Sequence, residues 1–268
     1  MSDPDFIDPN KAAGEIVKGA MDSESFKSLF GPMLKNVGMA LGDLGDVIRF
    51  YSSENLNRLF PKWAQQRDYR PLDAEEFKRV LPLLRDAAMV SDDELQDRWA
   101  ALLDNTAIAA DGVLPSFGQT LSQLTPSEAR YLDRVFARVT APTPYNFGRR
   151  EGRVDLSYVT LVDIYNPKLR PPSPAEMRIY EDRMSPEQLA AYDEMTNFEL
   201  MLHDLERLNL IGKQTEYVPG RVGYREIAGE EIQVPGDNGG TIVKYALTQY
   251  GVSFILAVRP KQSRAMNE

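Results

Sequence analysis

The residue types that could do chemistry are few and poorly placed for it. The chain has one histidine, His203, and no cysteine. A zinc site or a Ser-His-Asp triad would have to be assembled from a lone imidazole between Leu202 and Asp204, without most of its parts. His203 therefore reads as a partly exposed helix histidine. Three carboxylate pairs, Glu75-Glu76, Asp92-Asp93 and Glu230-Glu231, are of the type that serves acid–base work or magnesium. The first two fall where a helix N-terminus attracts negative charge, and the third falls in a polar loop. The glycine-rich run from Gly236 to Gly240 lacks the GKS or GKT ending of a phosphate loop and opens no helix, so it reads as a turn. No catalytic residue, cofactor, metal ion or small-molecule substrate is expected.

Composition sets the wider bounds. At 268 residues the chain can hold one large domain or two smaller ones, each with enough interior to fold without staples. Absence of cysteine fits a reducing compartment, and the acidic MSDPDFIDPN start is unlike a secretory signal, so the expected location is cytoplasmic. Forty acidic residues against 31 basic give a formal charge of -9, which disfavours a sequence-independent grip on phosphate backbones.

The elements that would have to position any site are mostly helices. In SDDELQDRWAALLDNT, Ser91 and Glu94 have the spacing of a reciprocal capping box, and Leu95, Trp99, Leu102 and Leu103 fall on one face. Burying the aromatic alone contributes on the order of 2 to 3 kcal/mol, so Trp99, Leu102 and Leu103 are expected in the core. Asp73 with Glu76 opens another helix, whose Phe77, Val80, Leu81, Leu84 and Ala88 share a face and in which Pro82 predicts a kink or a fresh start. Thr125, Pro126 and Glu128 start a third, burying Tyr131, Leu132, Val135, Phe136 and Val139.

From Lys11 to Phe60 the periodicity is also helical, and Gly38 and Gly42 form a GxxxG with Gly45 nearby. Each helical glycine costs roughly 1 kcal/mol against alanine, so the run predicts close backbone contact or hinges. Lys35, Asp43, Asp46 and Arg49 interrupt the apolar residues, which favours helix packing over insertion in lipid. Membrane contact through residues 26–50 is the alternative use.

Proline density from Ala141 to Pro174 marks connection, with one short strand or hairpin expected in VDLSYVTLVDIY. Ser173 with Glu176 and Ser185 with Gln188 predict two short helices. Thr196 and Glu199 are then expected to cap a helix burying Phe198, Met201, Leu202, Leu205 and Leu208, ended by a left-handed Gly212. Strand-like KQTEYVP and TIVKYALT flank a polar loop near residues 219–240, and Thr248 opens the last helix. This order resembles the wing of a winged-helix domain, with residues 125–139 as its first helix. The helix that would enter a DNA groove carries Glu199, Asp204 and Glu206 against Arg207, so phosphate should repel it, although Arg221, Arg225 and Lys244 near the wing are candidate backbone contacts.

The expected fold is therefore mainly α, a multi-helix protein with a winged-helix-like C-terminal part containing a small β-hairpin. Its organisation is a disordered tail (1–10), an N-terminal helical arm (11–66), a central helical domain (67–140), a proline-rich insertion with short helices (141–195), the winged-helix-like part (196–258) and a tail (259–268).

The segments SLFGPMLKNVGMALGDLGDVIRF, LPLLRDAAMVSDDELQDRWAALLDNT, PSFGQTLSQLTPSEARYL, FELMLHDLERLNLI and YALTQYGVSFI together resemble the abortive infection alpha family of bacterial proteins, over residues 26–136 and 196–256. The resemblance implies defence against phage by arrest or death of the infected cell, and it carries no catalytic residue to any position here. The expectation is a non-enzymatic protein that acts by binding itself or a protein partner. A DNA-associated regulator and a membrane-active effector are the alternatives.

Overall fold

The computed structural model describes residues 24–36, 53–109, 113–141, 156–169, 185–218, 223–227, 230–234 and 240–261. Over that span the chain is mainly helical, with a small three-stranded antiparallel sheet near the C-terminus. It separates into two compact units, residues 1–129 with 254–268, and residues 130–253.

The first unit is built on α1 (Glu24–Asn36), α2 (Ser53–Gln66), α3 (Ala74–Ala88), α4 (Asp93–Ile108) and α5 (Ser116–Gln123). Phe26 and Phe30 from α1 meet Phe60 and Trp63 of α2 and Phe77 of α3, with ring centroids 4.8 to 5.9 Å apart. Edge and tilted contacts of this kind add to the burial term. The apolar face of the described part of the 11–66 segment is thus interior: Phe26, Leu29 and Phe30 are buried within the protein. Trp99, Leu102 and Leu103 are completely buried on α4.

Charge is also buried here. The Arg67 guanidinium, inaccessible to solvent, donates to Glu76 at 2.7 Å and to Asp104 at 3.3 Å, and also to the carbonyls of Arg70 and Pro71. These last two bonds hold the α2–α3 turn, in which Asp68 and Tyr69 have φ of 52° and 58°. Half-exposed Arg70 reaches the other Glu76 oxygen at 2.6 Å, and Lys261 lies 2.9 Å from Asp104. Glu76 also accepts from the Asp73 amide, closing the expected capping box with Asp73.

The second unit runs through the body of α6 (Pro126–Thr140), then β1 (Leu156–Ser157), α7 (Tyr158–Tyr165), α8 (Pro186–Arg207), β2 (Ile211–Val218), β3 (Gly223–Ile227), β4 (Glu230–Val234), β5 (Gly240–Leu247) and the start of α9 (Gln249–Val258). The sheet order is β1-β5-β2, all antiparallel, with Leu156 and Lys213 both opposite Tyr245. The root of the β2–β5 ladder is buried at Ile211, Tyr245, Ala246 and Leu247, whereas residues 213–217 are exposed. Under the sheet, Tyr131, Tyr165, Phe198 and Tyr158 pack ring against ring, and the Tyr131 hydroxyl donates to the Leu161 carbonyl.

Several local expectations change. Asp92, not Ser91, caps α4, accepting from the Leu95 amide, because a carboxylate gains more from the helix dipole than a hydroxyl; Glu94 turns to Arg98 instead. Pro82 starts no new helix but sits inside α3, where both it and Lys78, the residue whose carbonyl its ring displaces from a helix bond, are exposed. No new helix starts at Thr196. The helix capped by Ser185 and Gln188 runs on through it, and the Thr196 hydroxyl bonds back to the Tyr192 carbonyl. Gly212 is a strand residue. The helix stops at Asn209, φ 57°, where the Asn209 amide donates to Glu206 and the Leu210 amide to Leu205, the double bond pattern of a Schellman turn.

The β-leaning run near residue 160 keeps only two strand residues. Ser157 caps Thr160 and tertiary burial of Leu161 and Val162 makes the rest helix. The polar loop at 219–240 contains a second antiparallel pair, β3 with β4. The helix expected from Ser173 and the 1–10 tail lie outside the described residues.

Three substitutions test what holds these units. Arg67→Met should cost about 3 to 5 kcal/mol, because two carboxylates lose their buried partner, whereas Arg70→Met should cost less than about 1 kcal/mol. A Cβ on Gly251 would run into the Leu210 carbonyl. Gly251→Ala should therefore lose about 1 to 3 kcal/mol by overpacking. Urea midpoints at constant slope measure all three.

Candidate functional site

The residues singled out in the sequence do not form one site. Trp99, Leu102 and Leu103 are core of the first unit. Gly38, Gly42, Gly45 and Arg221 lie outside the described residues, and Arg225 is placed on β3 opposite Ile232 by its backbone. The structure instead presents a cleft in the second unit, of about 220 Å³, lined by Tyr158, Glu199, Leu202, His203, Glu206, Lys213 and Tyr245.

Four elements build it. Along α8, Glu199, Leu202, His203 and Glu206 follow at offsets of zero, three, four and seven, which puts them on one face. Leu202 is buried as the floor, Glu206 is half-buried, and Glu199 and His203 are exposed at the mouth. Lys213 and Tyr245 come from opposite positions of the β2–β5 ladder and so point to the same face of the sheet. Tyr158 enters from the first turn of α7, where the Ser157 cap fixes the helix start.

The Tyr158 hydroxyl donates to Glu199 at 2.9 Å and lies 3.4 Å from the Met195 sulfur. Its ring centroid is 6.4 Å from that of Tyr245, the planes tilted by 42°. Burial raises the Tyr158 phenol well above the usual tyrosine range, and the bond to Glu199 and its charge add to that. Burial also raises Tyr245, with the charges of Glu206 and Glu199 acting the same way. Both phenols stay protonated at neutral pH and serve as donors and apolar walls. The lining contains no serine or threonine, so the cleft offers two carboxylates, one ammonium, an imidazole and aromatic surface. Among the described residues no group of three or more histidine or acidic side chains is placed to hold a metal ion.

The helix spacing of Glu199, His203 and Glu206 was visible in the sequence, but each residue alone had a solvated-surface explanation. Tyr158, Lys213 and Tyr245 carried no signal, because only the strand register brings them opposite the helix.

A mainly helical protein with a small antiparallel sheet and an acid-lined cleft on its last long helix is thus the class defined by fold and site. The model of the abortive infection alpha family matches residues 52–258, and the chain belongs to that family. Membership indicates a role in abortive infection. No match was found among curated proteins or among solved structures. Among the described residues, no helix is long and apolar enough to cross a membrane.

The raised phenols fix an alkaline signature. A tyrosine whose folded pKa exceeds its unfolded value of about 10 contributes stability that is whole below pH 10 and is lost as pH rises toward the folded value. Thermal stability should therefore fall from about pH 10 upward, and Tyr158→Phe should make that decline shallower. An identical decline in the variant would contradict the burial of this hydroxyl.

Proposed function

We propose that this protein acts in abortive infection without catalysis, by docking a protein partner on the outer face of α8. The arrangement of the second unit supports a winged-helix-like module: helix α6, strand β1, helices α7 and α8, then the β2–β5 ladder with β1 paired to β5. In such a module α8 occupies the place of a groove-reading helix.

The surface of that helix carries the reading. It bears Glu187, Asp193, Glu194, Glu199, Asp204 and Glu206 against Arg207, and Arg207 is engaged by Asp204 at 2.7 Å. Phosphate binding needs the opposite balance. Lys244, a wing cation, is paired with Glu216 at 2.7 Å. Against this acidic background Leu189, Tyr192 and Leu200 fall at offsets of zero, three and eleven, one stripe of α8, and remain 42, 42 and 63% exposed. Large apolar groups rimmed by charge favour a protein interface.

The membrane reading has less support, since the described apolar face of residues 26–50, at Phe26, Leu29 and Phe30, is covered internally. Homo-oligomerisation is one form the protein contact takes in this proposal. The cytoplasm, where phage replication occurs, is its setting.

The test is a Tyr192→Glu, Leu200→Glu variant, checked for a wild-type circular dichroism spectrum. Phage protection and partner co-purification should fall about tenfold or more, the scale of losing interface anchors. The unchanged protein should not shift duplex DNA at physiological salt. Full protection by the variant, or a salt-dependent shift lost in an Arg221→Ala, Arg225→Ala variant, would overturn the proposal.

A further inference from the structure

The cleft beside the α8 stripe has its own chemistry. Its volume, about 220 Å³, lies below the roughly 300 to 1,000 Å³ of small-molecule sites and suits a single long side chain. Two of its groups are carboxylates from one helix face, Glu199 and Glu206. Glu199 already accepts from Tyr158. The Glu206 side chain is half-buried and, among the described residues, makes neither hydrogen bond nor ion pair. A half-buried carboxylate without a partner is a standing electrostatic demand.

The opposite wall is aromatic. Tyr158 and Tyr245, 6.4 Å apart, are too close to sandwich a ligand and instead form one continuous surface, of the kind that attracts an organic cation over its face and covers an alkyl stem along its edge. Lys213 lies exposed at the rim and, among the described residues, is likewise without an ion pair. It therefore opposes a cation only weakly through solvent. An anion would meet two carboxylates and find one of the two phenol donors already committed.

We propose that this cleft receives the guanidinium or ammonium head of an arginine or lysine side chain presented by the protein partner, with Glu206 as its principal counter-charge and the two tyrosines enclosing its stem. The inference rests on the protein-docking reading above. The apolar stripe provides contact area, and the cleft beside Leu200 provides a charge-specific anchor.

The full-length protein carrying ring-labelled tyrosine is titrated by NMR with n-butylguanidinium chloride, with the blocked peptide acetyl-Gly-Arg-Gly-amide, with its Gln counterpart, and with sodium phosphate. The expected result is that the guanidinium and the Arg peptide move the Tyr158 and Tyr245 signals, identified by loss in the Phe variants, while the Gln peptide and phosphate do not. Glu206→Gln should weaken the Arg peptide about five- to tenfold, and Lys213→Gln should strengthen it about twofold or more by removing a like charge.

No movement with any probe at tens of millimolar, movement with phosphate, or indifference to Glu206→Gln would overturn the proposal. Binding of butylguanidinium but not of the Arg peptide would assign the cleft to a free small cation and overturn the side-chain assignment. None of these failures touches the docking face, whose variants lie at Tyr192 and Leu200 outside the cleft lining.

Discussion

The reversal of the chain at Leu208–Ile211 is the constraint from which the second unit follows. Asn209 takes the left-handed conformation, so the Leu210 amide can turn back to the Leu205 carbonyl and end α8 within one residue. The Leu210 carbonyl then accepts from the Thr248 amide, where β5 gives way to α9, and the Thr248 hydroxyl accepts from the Gly251 amide. Gly251 has no side chain because the Leu210 carbonyl occupies that space. One turn therefore joins the end of α8, the start of β2, the end of β5 and the start of α9. Shift it by a residue and β2 presents its other face, so that Lys213 no longer shares a side with Tyr245 and the cleft disappears.

The first unit depends on a different kind of link. Its aromatic cluster would pack in several ways, since apolar surfaces are non-directional, but Arg67 accepts only one. Its guanidinium must meet Glu76, Asp104 and two turn carbonyls at once, which fixes α2 against α3 and α4. Such buried charge is weak evidence for stability and better evidence for a defined register. Asn55 and Gln96 act similarly, donating to the Ala88 and to the Val90 and Asn55 carbonyls inside the same helices.

How much was legible in the sequence depended on whether the signal was local. Capping at Asp73, Thr125 and Ser185 was readable because donor and acceptor lie within three residues. The buried faces of α3, α4, α6 and α8 were readable because 3.6-residue periodicity is local too. Asn209 escaped notice because Gly212 is the commoner stop, and the decision belongs to the tertiary bond at Leu210. α7 escaped notice because β-branched residues argued for strand until Leu161 and Val162 found a core. The cleft was the least visible, since Tyr158, Glu206 and Tyr245 are 48 and 39 residues apart in sequence and meet only through strand pairing.

Family membership indicates the biological setting, and the proposal for how the protein acts in it rests on the surface of α8, an acidic helix on which Leu189, Tyr192 and Leu200 stay exposed. The central claim is that this helix meets protein. The most direct measurement places a photoreactive amino acid at Leu200 and irradiates phage-infected cells. A cross-linked adduct that is digested by protease, withstands nuclease and is missing when the photoreactive group is at Glu75 is the predicted result. An adduct sensitive to nuclease, or none above the Glu75 control, would contradict it.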